Sequence, residues 1–119
     1  MNISRLKVFM FPDIGKKPFM KTMKIYVDID ETICYYDGER KYELAKPLIN
    51  NIEKINKLYD EGNEIVYWTS RGYVSKINYY EITKKSLDAW KCKYHKLIVG
   101  EKPNYDLLIC DRTKRIEEI

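Results

Sequence analysis

An α/β fold built on a mainly parallel sheet is predicted, on three observations. Short apolar, β-branched runs alternate with longer stretches of helical periodicity. Two of the runs stop abruptly at polar residues: Lys24-Ile-Tyr-Val at Asp28 and Asp30, and Glu64-Ile-Val-Tyr-Trp68 at Thr69. The chain has 119 residues, enough for one domain with a real core and little beyond it. Strands alternating with helices imply βαβ units, whose sheets are covered on both faces.

The elements follow in order. Residues 1–23 read as a peripheral N-terminal arm: Leu6 to Phe11 suits a short strand, but Pro12, Gly15 and Pro18 then interrupt any regular structure. The first confident strand is 24–29. Cys34 to Leu44 is polar and tyrosine-rich, with Asp37-Gly38 as a hairpin turn signal. A helix is predicted from about Lys46 to Glu61, with Pro47 in its first turn, Leu48, Ile52, Ile55 and Tyr59 on one face, and Gly62 at its end. Strand 64–68 runs into Thr69-Ser-Arg-Gly72. A second helix takes most of 75–92, with Leu87 and Trp90 facing inward. Lys96 to Val99 and Asp106 to Cys110 are the third and fourth strands, the last ending at Asp111. There is no internal repeat and no low-complexity segment.

Composition narrows the class. The chain is 45% apolar, as a globular domain requires, and its net charge of +4 is spread among interleaved acids. Nucleic-acid binding is permitted by that balance and not indicated by it. Three cysteines, Cys34, Cys92 and Cys110, show no metal-ligand spacing and read as free thiols of a reducing cytoplasm. No run has the length of a membrane span and no secretory leader is recognisable, so the expectation is a soluble, cytoplasmic protein.

The chemistry sits at strand ends. Residues i and i+2 of a strand project to one side, so Asp28 and Asp30 start out pointing the same way. Like charges that close repel unless a cation, a proton or a phosphoryl group organises them. Thr69 and Asp111 end neighbouring strands at the same edge, where α/β sheets keep ligand sites, and Lys102 lies in a loop that reaches it. Carboxylates, a hydroxyl and a lysine form an inventory for phosphate and Mg²⁺. Each has a plainer reading: a turn or cap for the aspartates, a helix cap for Thr69, a surface position for Lys102. Asp106 and the single histidine, His95, fall at the opposite edge and read as structural. Tyr35, Tyr36 and Tyr42 form either a flap over the site or the brace of a hairpin.

Asp28-x-Asp30-x-Thr32, then Val66-Tyr-Trp-Thr69, then Lys102, then Ile109-Cys-Asp111, resembles the four motifs of the haloacid dehalogenase-like phosphohydrolase superfamily, over roughly residues 24–112. Lys102-Pro-x-x-Asp106 and Tyr-Trp-Thr-x-Arg-Gly resemble more narrowly its small capless members, some tied to capsular-polysaccharide and sugar-phosphate metabolism. The resemblance implies a three-layer Rossmann-like domain of residues 24–119, with strand order close to 4-1-2-3. Neither interval between motifs leaves room for a cap. It implies that Asp28 is the nucleophile and that Asp30 is general acid, then base. Thr69 and Lys102 bind the phosphoryl oxygens, and Ser70 and Arg71 touch substrate. Asp28, the backbone carbonyl of Asp30, and Asp111 hold Mg²⁺.

The activity so implied is a Mg²⁺-dependent phosphatase on a small phosphorylated metabolite, sugar phosphates favoured. Two alternatives stand beside it: a 3′-phosphatase acting on nucleic acid, and a silent binding or regulatory domain. An open, capless site either admits bulky substrates or is closed by a neighbouring subunit of a homo-oligomer. Two departures from the family pattern concern the site. Cys110 stands where an acid is usual, and a thiol serves this hard cation poorly. Glu31 stands where many relatives have glycine.

Overall fold

The structure, a computed structural model, describes residues 8–12, 22–101, 113–114 and 116–119. Its elements are β1 (Val8–Pro12), β2 (Met23–Asp28), β3 (Cys34–Tyr35), β4 (Lys46–Pro47), α1 (Ile49–Asp60), β5 (Glu64–Thr69), α2 (Tyr80–Ala89), β6 (Lys96–Val99) and β7 (Thr113–Lys114). The main sheet runs β6-β5-β2-β1-β7, and β3 and β4 form a separate hairpin.

A parallel core of β2, β5 and β6 with two helices makes this an α/β fold, as the alternation predicts. In the parallel registers Ile25 pairs with Ile65, Val27 with Tyr67, and Tyr67 with Leu97. Those side chains share one face, and Ile52 and Ile55 of α1 and Leu87 of α2 join them in a single buried cluster. Right-handed crossovers taken twice in one direction put both helices on that same face. The expectation of helices on both faces is therefore not met among the described residues. Val66 points the other way, fully buried but outside the cluster.

Strand order departs from the 4-1-2-3 expectation. The place beside β2 is held by β1, antiparallel over five residue pairs from Val8↔Val27 to Pro12↔Met23. The N-terminal segment read as a peripheral arm thus supplies a strand of the main sheet. β7 pairs with the far side of β1. The expected fourth strand, 106–110, lies outside the described residues, with Cys110.

Boundaries moved for local reasons. α1 begins at Ile49 rather than Lys46, because Lys46 and Pro47 pair with Tyr35 and Cys34 in the hairpin. A proline fits such an edge pair, since it needs no ladder donor there. At the other end Gly62, at φ +98°, closes α1 by donating to the Tyr59 carbonyl, as its position predicts. α2 begins at Tyr80, five residues later than expected. Lys76 at φ +65° breaks the periodic stretch, and the Asn78 carboxamide oxygen accepts from the Tyr80 amide at 2.9 Å. His95 is structural, as read: its Nδ1 accepts from the Ile65 amide at 3.0 Å, and its ring stacks on Tyr59. Among the described residues no helix is long and apolar enough to cross a membrane.

Asn63 ties the layers together. Its Oδ1 accepts from the Met23 amide and its Nδ2 donates to the Leu58 carbonyl, both at 2.9 Å, in a buried position. Asn63→Ala leaves both backbone groups without their partner, a loss of roughly 1–3 kcal/mol. Urea unfolding should show a lower midpoint with an unchanged slope.

Candidate active site

The site edge is the end of the parallel sheet where β2 and β5 stop side by side, Asp28 opposite Trp68. After Asp28 the chain turns tightly. The Ile29 carbonyl accepts from the amides of Thr32 and Ile33, and the Glu31 amide donates back to Cys34. Glu31 sits at φ +69°, in the left-handed region, which is why glycine suits this position. The Thr32 carbonyl accepts from Asn51, fixing the turn to the first turn of α1. The Thr32 hydroxyl is buried with no hydrogen-bond partner among the described residues.

The two aspartates have different surroundings. Asp28 Oδ1 accepts from the Ile29 amide at 2.9 Å. Asp30 is held by Arg71, whose Nε donates to Oδ2 at 3.1 Å and whose Nη2 donates to Oδ1 at 2.8 Å. The Tyr36 hydroxyl adds a third bond to Oδ1 at 2.7 Å. The Arg71 side chain is 1% exposed and that of Asp30 18%. Nη1 of Arg71 donates to the Thr83 hydroxyl of α2 at 3.1 Å, and the guanidinium lies 4.5 Å from the ring centre of Tyr42. The guanidinium expected to reach substrate is thus committed inside the protein.

Electrostatics follow the geometry. Burial alone would raise the Asp30 carboxyl, but the Arg71 guanidinium outweighs it, with help from Tyr36, and holds it below the ordinary 3.8. Burial pulls Arg71 down while Asp30 more than restores it, so the net direction is upward. Burial and the adjacent Asp30 charge push the Cys34 thiol up to about 12, which leaves it an unreactive thiol. Tyr36 is pushed up as well, by burial first and then by Asp30.

Thr69 is buried at the end of β5, and its hydroxyl accepts from the Arg71 amide at 3.2 Å. It therefore shapes the turn into Arg71 and is not the helix cap of the plainer reading. Ser70 is exposed beside it. The Trp68 indole donates to the Glu101 carbonyl at 3.1 Å, so the residue preceding Lys102 is held against the strand that pairs with Asp28. Lys102, Asp106 and Asp111 lie outside the described residues. Among the described residues no group of three or more His, Cys, Asp or Glu could hold a metal ion.

The structure therefore brings Asp28, Asp30, Thr69, Ser70 and Arg71 to one edge. It adds three side chains to the expected site residues: Tyr36 and Tyr42, read from the sequence as a flap over the site or the brace of a hairpin, and Thr83. Tyr36 and Tyr42 belong to the tyrosine-rich hairpin, of which Tyr36 reaches Asp30 and Tyr35 faces outward. Thr83 is buried on the inward face of α2, and a hydroxyl at that place in the helical period is the signal that could have found it.

No protein-family model matches the chain, and no curated protein matches it. Among solved structures it is similar to the crystal structure of an MCSG target from Vibrio cholerae, at 27% identity and a TM-score of 0.68, over 80% of this chain and 85% of that one. The fold defined above is thus one that a solved structure shares over most of both chains.

Breaking the clamp leaves a mostly buried carboxylate alone. Arg71→Ala should cost about 3 kcal/mol, and Arg71→Lys should recover little because the bidentate fork is lost. Asp30 titrates lower in the folded than in the unfolded chain, so its contribution is complete above the unfolded value and is lost as pH falls below about 4. Without Arg71, burial dominates and acid should weaken the fold less. Urea midpoints of both proteins at pH 6 and pH 3 test the sign.

Proposed function

We propose that this chain is a Mg²⁺-dependent phosphatase that passes the phosphoryl group of a small phosphomonoester first to Asp28 and then to water. The observation that carries the reading is the register of β2 and β5. It sets Asp28 beside the strand that delivers Thr69 and Ser70, while Arg71 reaches across to hold Asp30. The order of the four motifs supports it. So does the β2-α1-β5-α2-β6 path, which suits a capless Rossmann-like domain. The two described cysteines are free, as a reducing cytoplasm would keep them.

The residues present fit a hard dication in part. The Asp28 carboxylate and the Asp30 carbonyl are oxygen donors of the right kind, and the sequence supplies Asp111 as a third. The Asp30 carboxylate itself is committed to Arg71, so its backbone oxygen is the donor that remains for a metal. When bound, Mg²⁺ supplies charge that relieves repulsion between the anionic nucleophile and the anionic substrate.

An Asp28 carboxylate oxygen attacks phosphorus, and the bond from phosphorus to the leaving oxygen breaks. Asp30, protonated, gives that oxygen its proton. Asp30, now ionised, takes a proton from water, which attacks the same phosphorus. The bond to Asp28 breaks, and inorganic phosphate leaves with Asp30 reprotonated. The Thr69 hydroxyl and Lys102 hold the phosphoryl oxygens. Arg71 favours the ionised form of Asp30, so it serves the second step better than the first, and leaving groups that need little protonation suit the site best.

The same clamp favours a second reading, a phosphate-binding domain without turnover. There, Mg²⁺ and phosphate would raise the melting temperature while no phosphomonoester released phosphate. The deciding assay takes purified protein with sugar phosphates, nucleotides and 3′-phosphorylated oligonucleotides, with and without Mg²⁺. Phosphate release that needs Mg²⁺ and disappears in Asp28→Asn is the expected result. Turnover that survives Asp28→Asn would sink the mechanism. Activity appearing only in Cys110→Asp would mark a phosphatase disarmed at its metal site.

A further inference from the structure

Beside Ser70 the surface opens into a cleft of ≈ 580 Å³, within the range of small-molecule sites. Ordinary strand spacing and rise put the Ser70 backbone about 8 Å from that of Asp28, so the cleft begins where a phosphoryl group on Asp28 would end. Its walls carry the rings of Tyr42 and Tyr79, the hydroxyls of Ser70 and Ser75, and the charged side chains of Arg40, Lys41 and Glu43. The two rings meet edge to face, their centres 4.7 Å apart and their planes at 82°. Neither is a loose surface tyrosine. Tyr42 is backed by the Arg71 guanidinium, which is itself locked to Asp30. The Tyr79 carbonyl accepts from the Thr83 amide in the first turn of α2.

Two fixed aromatic walls gain most from a ring laid against them. A short acyclic group would leave both faces in water. Both signs of charge stand at the rim, and its two cations are already paired, Arg40 with Glu31 and Lys41 with Glu39, so with the hydroxyls they add orientation without demanding net charge. We infer that this cleft is the leaving-group subsite, and that it selects phosphomonoesters whose leaving group carries a ring over those with a short acyclic one. The term leaving group rests on the phosphatase reading; the preference for a ring does not.

The test separates the two. Phenylphosphonate and methylphosphonate cannot be hydrolysed, and calorimetry on the full chain reads their affinities without turnover. Phenylphosphonate should bind about tenfold more tightly. Tyr79→Ala should abolish that ratio and Tyr79→Phe should keep it. Ser75→Trp, at an exposed position, fills the cleft without touching the core, and should abolish the ratio while leaving methylphosphonate within about twofold. Equal affinities in the native chain, or a preference that survives both Tyr79→Ala and Ser75→Trp, would overturn the subsite. A ring preference with no release of phosphate from phenyl phosphate keeps the subsite and removes the phosphatase. Release from phenyl and methyl phosphate at equal kcat/KM does the reverse.

Discussion

The Arg71–Asp30 pair is the constraint on which the site edge depends. A guanidinium removed almost wholly from water is tolerable only when its donors are used, and here they reach three separate parts of the chain. Two go to Asp30 in the turn after β2, one to Thr83 on α2, and one is shared with Tyr36 in the hairpin. Arg71 itself enters from the end of β5. One side chain therefore fixes the relative positions of the β2 turn, the hairpin, the β5 end and the first turns of α2. Such a pair adds little net stability over an apolar replacement, but it specifies an arrangement that apolar contacts would leave loose.

Around this clamp the backbone does the remaining positioning. The parallel register fixes Asp28 against Trp68, and the Trp68 indole holds the Glu101 carbonyl. Thr69 accepts the Arg71 amide, which turns the chain at the moment it leaves the sheet. Gly72, at φ +87°, continues that turn, and a Cβ there would lie 2.2 Å from the Ile77 carbonyl oxygen. The loop that walls the cleft is thus closed over a position that only glycine fills. Its shape is set by backbone contacts, not by the exposed Tyr73 and Val74 at its tip.

What the sequence made legible is what period and punctuation encode. β5 and β6 read clearly because β-branched runs were bounded by polar residues. α1 read clearly because Ile52 and Ile55 recur at helical spacing and Gly62 ends them. What escaped depended on partners distant in sequence. Lys46 and Pro47 look like the start of a helix until Cys34 and Tyr35 are there to pair with them. Val8 to Pro12 looks marginal alone, since an edge-length run has no signature of its own until β2 accepts it. Both helices share a face because the crossovers repeat in one direction, a fact of topology that no local window contains. Asp28 and Asp30 were legible as a pair, but the spacing could not say that a guanidinium from beyond β5 would take one of them.

That last point bears on how the edge divides its labour. Spacing alone treats the two aspartates as equivalent charges needing one common partner, and a metal ion is the obvious choice. The geometry separates them instead. Asp30 has its counter-charge built in, with Tyr36 and Cys34 filling further donor directions on Oδ1. Asp28 Oδ1 accepts instead from the amide of the next residue, Ile29. A charge paired as that of Asp30 is acts on its neighbours as a dipole and no longer as a full unit, so the two aspartates do not face each other as the equal charges their spacing suggests. The guanidinium that ties the turn after β2 to α2 is thus also what makes the surroundings of the two aspartates unequal.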